Sequence, residues 1–180
     1  MDAPLWIFGY GSLMWHPGFA VVEHQIARLN GYHRTFCMRS IHHRGTDADP
    51  GLVLALDAAQ AACDGVAFRV ADDVAGATLV YLRERELISA AYLEQVLPLQ
   101  LADGRTVQAV AFVVDRDHVQ YCGGLALEEQ AGIIARAVGG RGTNAEYLFN
   151  TADHLAELGI ADSDLTWLAQ RVRGLLTATA

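Results

Sequence analysis

Two short segments of this 180-residue sequence hold residue types that could do chemistry. The first is the string FGYGSL at residues 8–13, which follows an apolar run and carries two glycines two positions apart. Glycine lets the backbone approach a ligand closely, so successive amides of such a turn can hold an anionic or amide oxygen. An ordinary tight turn that uses glycine for a positive φ is the alternative, and the motif alone favours it.

The second segment is LRERE at residues 82–86, where helical periodicity separates two carboxylates. Glu86 shares one helix face with three residues at spacings of four, three and four: Ala75, Leu79 and Leu82. Glu84 lies about half a turn away and is expected in solvent. Burial and the negative end of the helix dipole should both raise the pKa of Glu86, as suits a general base. An ion pair with an arginine, Arg85 or a distant one, or a frayed helix end is the alternative.

The histidines and cysteines form no recognisable metal or nucleophile motif. His42 and His43 are adjacent and would point to opposite faces of a strand, and neither HxxxH nor HExxH occurs. The three cysteines are widely spaced without CxxC, which argues against a disulfide framework and a zinc site: Cys37, Cys63 and Cys122. We predict no metal site and buried free thiols, with a cysteine nucleophile left open.

Strands dominate the part of the chain that must position these residues. The alternation of apolar and polar residues predicts seven strands, over residues 5–10, 27–29, 32–38, 52–56, 65–70, 93–101 and 106–114. The Asn30-Gly31 pair predicts a two-residue hairpin turn between the second and third of them. Residues 102–105 are expected to join the last two in the same way.

Helices interrupt the strands once and then follow them. The pattern predicts four helices, over residues 72–88, 127–138, 143–158 and 163–177. Asp72 or Asp73 is expected to cap the first, and Gly139-Gly140 to end the second. Thr143 and Glu146 have the spacing of a capping box before the third.

This order of elements indicates an α+β fold. A hydrophobic fraction of 52% and a charged fraction of 19% allow one core of ordinary size, so residues 1–180 are predicted to form a single domain. Strands followed by gathered helices indicate a curled or closed, mostly antiparallel sheet with helices packed outside it. Closure would remove exposed strand edges.

Charge and hydropathy exclude two classes of partner. The 13 basic residues, all arginine, stand against 21 acidic ones, and a net charge of −8 argues against nucleic-acid binding. The apolar run at 109–114 is far shorter than the ~20 residues that cross a bilayer, so no membrane partner is expected. No secretory or transit segment is readable, and we expect a cytoplasmic protein.

Several strings, taken together and in order, carry a family resemblance. They are FGYGSL at 8–13, GYHR at 31–34 with Phe36, Arg44-Gly45, Pro50-Gly51, GVAFR at 65–69, Arg85-Glu86 with Tyr92, and NAEYLF at 144–149. The sequence from Trp6 to about Val172 resembles the ChaC-like γ-glutamylcyclotransferases of the bacterial branch. No single string is specific enough to indicate a family, but the occurrence of all of them in this order is.

The resemblance implies a small mixed, mostly antiparallel β-barrel with flanking helices. It also implies an enzyme that cleaves glutathione to 5-oxoproline and cysteinylglycine without a cofactor. Glu86, singled out above by helical periodicity, matches the family's proton acceptor, and the turn from Ile7 to Ser12 matches the site of the γ-glutamyl group. The predicted substrate-binding residues are Ile7, Phe8, Gly9, Tyr10, Gly11, Ser12, Leu13, Arg39 and Tyr147.

Two alternatives stay open from the sequence. One is a cyclotransferase for other γ-glutamyl amino acids or amines, and the other is a non-catalytic γ-glutamyl-binding regulator of cation transport. A binder has no need of a buried carboxylate, and holding one costs stability, so Glu86 favours the enzyme. We expect a monomer or weak homodimer that acts on a small-molecule substrate.

Overall fold

The structure is a computed structural model that describes residues 3–87 and 89–179. Its strands are β1 (Trp6–Gly9), β2 (Val21–Ser40), β3 (Gly51–Val70), β4 (Tyr92–Leu101), β5 (Thr106–Val114), β6 (Val138–Gly139) and β7 (Gly142–Thr143). Its helices are α1 (Ala75–Glu86), α2 (Leu127–Arg136), α3 (Asn144–Glu157) and α4 (Ser163–Ala178). Two 3₁₀ turns, Ser12–Met14 and Asp72–Val74, precede β2 and α1.

Five strands close into a barrel in the order β1-β3-β2-β4-β5. β1 completes the closure because it pairs antiparallel with β3 on one side and parallel with β5 on the other. β4 and β5 form a long antiparallel hairpin from Tyr92↔Val114 to Gln100↔Thr106. The predicted α+β fold with a small mixed, mostly antiparallel barrel is therefore confirmed.

The chain divides into two compact units, which share β2 and β3. The first contains the described residues up to Thr35 together with Ala55–Val119, and the second contains Phe36–Leu54 and the described residues from Gln120 onward. Buried side chains of the first unit include Ile7, Phe8, Leu29, Leu56, Leu82, Leu99 and Phe112. Those of the second include Ile134, Leu148, Leu165 and Val172 from α2, α3 and α4. The single domain over residues 1–180 stays a prediction.

The predicted hairpin at Asn30-Gly31 is wrong. A two-residue type I′ turn needs a positive φ at both central residues, but only Gly31 of this pair has one, at +85°. The pair therefore does not form this turn, and β2 runs through it as one strand from Val21 to Ser40. The strands predicted at 52–56 and 65–70 likewise form the single β3. A short separate ribbon, β6 with β7, was not predicted.

The start of α1 differs from the prediction. Asp72 and Asp73 lie within the 3₁₀ turn before the helix, and neither provides a side-chain cap. Their negative charges still precede the positive end of the helix dipole, where acidic residues are stabilising. The last described residue of α1 is Glu86, and the predicted end at Ile88 lies outside the described residues.

The end of α2 also differs, whereas the start of α3 has the predicted cap by Thr143. α2 ends at Arg136 because Ala137 already has an extended backbone, with ψ at 138°. Gly139 therefore belongs to β6 and does not cap the helix. At α3 the Thr143 hydroxyl accepts from the Glu146 amide at 3.1 Å, as a capping residue does. The Glu146 carboxylate contacts the Arg44 guanidinium at 3.2 Å.

Candidate active site

The glycine-containing turn begins where β1 ends at Gly9. Neither Gly9 nor Gly11 has a positive φ, so the ordinary reason for glycine in a tight turn does not apply to them. A Cβ atom on Gly9 would lie 2.8 Å from the Phe68 ring, which means that lack of space requires glycine there. The turn continues as a 3₁₀ turn, in which the Met14 amide donates to the Gly11 carbonyl at 2.9 Å.

Most predicted substrate-binding side chains in this segment belong to the core. Ile7 and Phe8 are fully buried, and Tyr10 and Leu13 nearly so. Ile7 and Phe8 therefore expose no surface to a ligand in this structure, and their roles in substrate binding stay predictions. Ser12 is half-buried, and its hydroxyl oxygen accepts a hydrogen bond from Arg85.

A buried arginine of β2 holds the beginning of the turn. Arg34 is 6% exposed, and its Nε donates to the Tyr10 carbonyl at 2.6 Å. Its Nη2 donates to the carbonyl of Asp64 in β3. A guanidinium spread over two carbonyls fixes their separation, because its donors lie in one rigid plane. Arg34 thus ties the turn to the barrel wall.

Glu86 is the last residue of α1 and lies on the inward helix face that the periodicity predicts. Its side chain is 18% exposed, whereas Glu84 is exposed. Burial raises the pKa of the Glu86 carboxyl, and the charge of Arg85 partly opposes this rise. The ion pair that was the alternative is also present, with Arg85 Nε 3.2 Å from Glu86 Oε1. Glu86 is therefore both buried and paired.

One guanidinium connects Glu86 to the turn. Besides its contact with Glu86, Arg85 donates from Nη2 to Ser12 Oγ at 2.9 Å. The first unit therefore brings together a carboxylate with a raised pKa and the turn that contains Gly9 and Gly11. Chemically, such a pair can hold a polar substrate group and take a proton from an atom next to it.

The other two predicted site residues, Arg39 and Tyr147, belong to the second unit. The Arg39 amide donates to the Gln120 carbonyl at 2.8 Å, and its own carbonyl accepts from the Gln120 side chain at 2.9 Å. The Tyr147 ring packs edge-on against Phe36, with centroids 6.0 Å apart, and lies 5.7 Å from the Arg44 guanidinium carbon. Their roles in substrate binding stay predictions.

Two side chains of α3 bind the backbone of β3 in the second unit. Asn144 is fully buried, and its amide accepts from the Leu52 N–H and donates to the Leu52 carbonyl, both at 2.7 Å. One helical turn later the Tyr147 hydroxyl accepts from the Leu54 N–H at 3.3 Å. These bonds fix where Tyr147 can lie.

Other groups capable of chemistry are scattered. Within residues 3–87 and 89–179, no three His, Cys, Asp or Glu side chains are grouped so that they could hold a metal ion. Cys37, Cys63 and Cys122 are free thiols, and burial raises the pKa of Cys122. None of the described helices is both long enough and apolar enough to cross a membrane.

Sequence comparison identifies the family. The family model described as ChaC-like protein matches residues 5–175. This chain belongs to the ChaC-like family. Its relative in Escherichia coli K12, named glutathione-specific gamma-glutamylcyclotransferase, is 41% identical over 175 residues, which cover 97% of this chain and 75% of the relative. Human glutathione-specific gamma-glutamylcyclotransferase 1 is 35% identical over 158 residues, covering 86% of this chain and 71% of the relative.

The barrel of this ChaC-like chain also occurs in a solved structure. A yeast γ-glutamyl cyclotransferase specific to glutathione superposes with a TM-score of 0.84 at 24% identity. The match covers 97% of this chain and all of the yeast chain. At this level of identity the comparison shows a common fold.

Sequence reasoning missed how the turn of this ChaC-like chain is held. Arg34 appeared only as a member of a motif, and Arg85 as a motif member and a possible ion-pair partner of Glu86, but both are hydrogen-bonded to the turn. Two signals were available: Arg34 shares its strand face with the aromatic residues Tyr32 and Phe36, and Arg85 stands directly before the inward-facing Glu86. Buried arginines need several acceptors, and loop carbonyls supply them.

Proposed function

We propose that this protein is a glutathione-specific γ-glutamylcyclotransferase, which converts glutathione to 5-oxoproline and cysteinylglycine. Membership of the ChaC-like family and the names of the relatives support the reaction and the substrate. The observation that carries the proposal is Glu86, largely buried, with a raised pKa, and joined to the glycine-containing turn through Arg85. Glu86 is proposed as the catalytic base.

The turn is proposed to bind the γ-glutamyl group. Backbone amides of residues 9–12 would hold this group folded, so that its α-amino nitrogen lies close to its own γ-carbonyl carbon. Ring closure is then intramolecular, and such well-oriented reactions avoid most of the entropy cost of bringing two groups together. Tyr10, Arg39 and Tyr147 are proposed as further contacts of the substrate.

Proton transfer through Glu86 completes the reaction. The α-ammonium group has no lone pair, so the Glu86 carboxylate must remove a proton before the nitrogen can attack the γ-carbonyl carbon. The new C–N bond closes the five-membered ring as the amide bond to cysteine breaks. Glu86 returns this proton to the leaving nitrogen, and the second hydrogen that the attacking nitrogen must lose passes to the same amine, which departs as protonated cysteinylglycine. Atoms and charges balance without water or a cofactor.

The direct test compares two carboxylates of α1. Glu86→Gln should lower the rate of 5-oxoproline release from glutathione by about 10²–10⁴-fold, the usual contribution of a general base. Glu84→Gln is the matched control, and we expect it to keep the rate of the parent because Glu84 is exposed. Mass spectrometry of 5-oxoproline and cysteinylglycine measures both. A Glu86→Gln protein as active as the parent would contradict the proposal.

Substrate preference is tested in the same assay. We expect glutathione to be converted faster than γ-glutamylalanine, because the relatives are named for glutathione. Faster conversion of γ-glutamylalanine would indicate a cyclotransferase for other γ-glutamyl amino acids. Binding of glutathione without any release of 5-oxoproline would indicate the non-catalytic regulator.

We further propose a cytoplasmic protein that is a monomer or a weak homodimer. Three free cysteines suit a reducing compartment, where thiols persist. The base and the turn come from one chain, so the proposed reaction needs no partner subunit. Cell fractionation and sedimentation velocity test these two statements, and a tight oligomer would contradict the second.

A further inference from the structure

The segment from Ser12 to Pro17 is held against α1 by the side chain of Arg85. Arg85 donates from Nη1 to the carbonyl of His16 at 2.8 Å and approaches that of Pro17 at 3.4 Å. Its Nη2 donates to Ser12 Oγ at 2.9 Å, and its Nε lies 3.2 Å from Glu86 Oε1. The three nitrogens of the guanidinium therefore have different partners. Nη2 binds the start of the segment at Ser12, Nη1 binds its end at His16, and Nε contacts the Glu86 carboxylate.

A second residue of α1 supports the same segment one helical turn earlier. The hydroxyl of Tyr81 lies 3.2 Å from Arg85 Nη1. Gly18 packs so closely on this ring that a Cβ atom would lie 2.2 Å from the Tyr81 hydroxyl oxygen. Residues 81 and 85 lie on the same helix face, which makes one continuous support for the segment.

We propose that Arg85 is a positioning residue, which holds the glycine-containing turn and the Glu86 carboxylate in a fixed relative position. This inference rests on the proposed function. A guanidinium presents five N–H donors in a rigid plane and spreads them over three separate nitrogens, whereas the three donors of lysine share one nitrogen and one position. Because cyclisation requires the bound amine and the base to be aligned, a displacement of either by about 1 Å is expected to cost activity.

Arg83 provides an internal contrast on the same helix. Its guanidinium pairs with the Glu94 carboxylate of β4 at 2.7 and 2.8 Å, and its side chain is 50% exposed. The Arg85 side chain is 21% exposed. The two arginines thus lie in the same helix but have different partners. Substitutions of Arg83 therefore serve as a control, because they show how much activity is lost when α1 loses an arginine that does not contact the turn.

The charge and the geometry of Arg85 can be separated by two substitutions. Arg85→Lys keeps a cation near Glu86 but loses the planar fork, whereas Arg85→Gln loses both. Among the described residues, Arg85 is the charged group found to act on the pKa of Glu86, and its effect is to lower that pKa. Removing the cation should raise the pKa further, so the acidic limb of the activity profile should move to higher pH.

The experiment measures kcat and KM for glutathione across pH for both Arg85 variants and for Arg83→Lys and Arg83→Gln. We expect Arg85→Lys to lower kcat/KM by about tenfold or more with little movement of the acidic limb. Arg85→Gln should lower it further and move the limb to higher pH. Both Arg83 variants should stay within about twofold of the parent. Thermal unfolding establishes that each variant is folded.

Ser12→Ala removes one partner of Arg85 without altering α1, so it tests the proposal even where Arg85→Gln does not fold. We expect Ser12→Ala to raise KM. In the double variant with Arg85→Lys, the loss in kcat/KM, expressed as a free energy, should be smaller than the sum of the losses in the two single variants.

Arg85 variants with the parent's kcat/KM and pH profile would overturn the inference alone, whereas a parent protein that releases no 5-oxoproline would overturn the proposed function as well.

Discussion

At the scale of single residues, the Glu86 carboxylate experiences two opposite influences. Burial raises its pKa, and the guanidinium of Arg85 lowers it by a smaller amount. A carboxyl whose pKa is higher in the folded than in the unfolded protein binds its proton more tightly when folded. It therefore stabilises the fold fully below the unfolded pKa, and this stabilisation is lost as the pH rises through the folded pKa.

Glu86→Gln should therefore stabilise the protein at neutral pH. Glutamine has nearly the shape of a protonated glutamate but no charge to desolvate, so we expect a higher Tm than that of the parent at pH 7. This gain in Tm should shrink as the pH falls. It should disappear below about pH 4, where Glu86 is protonated in both the folded and the unfolded parent protein. Thermal unfolding followed by circular dichroism at several pH values measures it. A gain that is the same at pH 4 and pH 7 would exclude ionisation as its cause.

At the scale of elements, agreement with the sequence depended on how local each signal is. The predicted bounds of β5 match the structure, and those of β4 and α4 differ by one residue, because each has an unbroken pattern between clear turn residues. The errors fell at predicted turns and helix ends, namely at Asn30-Gly31, between residues 56 and 65, at Asp72-Asp73 and at Gly139-Gly140. Asn30-Gly31 suggests a hairpin locally, but β2 pairs with β3 and β4, and these distant partners decide its path.

The positive φ of Gly31 gives a prediction with an internal control. An added Cβ would meet no atom within 4 Å at Gly31 or at Gly132 in α2, so neither substitution creates a clash. Gly31→Ala should cost about 1 kcal/mol, because φ is +85° there and a side chain disfavours that conformation. Gly132→Ala should add about 0.5–1 kcal/mol of stability, since glycine weakens a helix interior. Urea unfolding measures both, and equal effects would contradict the explanation.

At the scale of the whole molecule, the candidate site depends on one feature that helical periodicity can predict, the inward position of Glu86, and on long-range contacts that it cannot predict. Spacing within one helix was enough to distinguish Glu86 from Glu84. The contacts of Arg34 with Tyr10 and of Arg85 with Ser12 join residues 24 and 73 positions apart. No local pattern encodes such contacts, because they exist only once the barrel has closed.

The path of the chain also predicts how the protein unfolds. β2 and β3 each supply residues to both compact units, so neither unit corresponds to one continuous stretch of sequence. We therefore expect a single cooperative transition, as for one domain formed by residues 1–180. Tryptophan fluorescence and far-ultraviolet circular dichroism should give coincident urea curves. Two separate transitions would contradict a single domain.

The first turn of α3 gives the second unit a protection that strands usually lack. The amide of Asn144 and the hydroxyl of Tyr147 occupy backbone groups of Leu52 and Leu54 that a foreign strand could otherwise bind. Unpaired strand edges recruit other chains and lead to aggregation. Because side chains of a helix already bind these groups, resistance of the folded protein to self-association there is expected to depend on Asn144 and Tyr147.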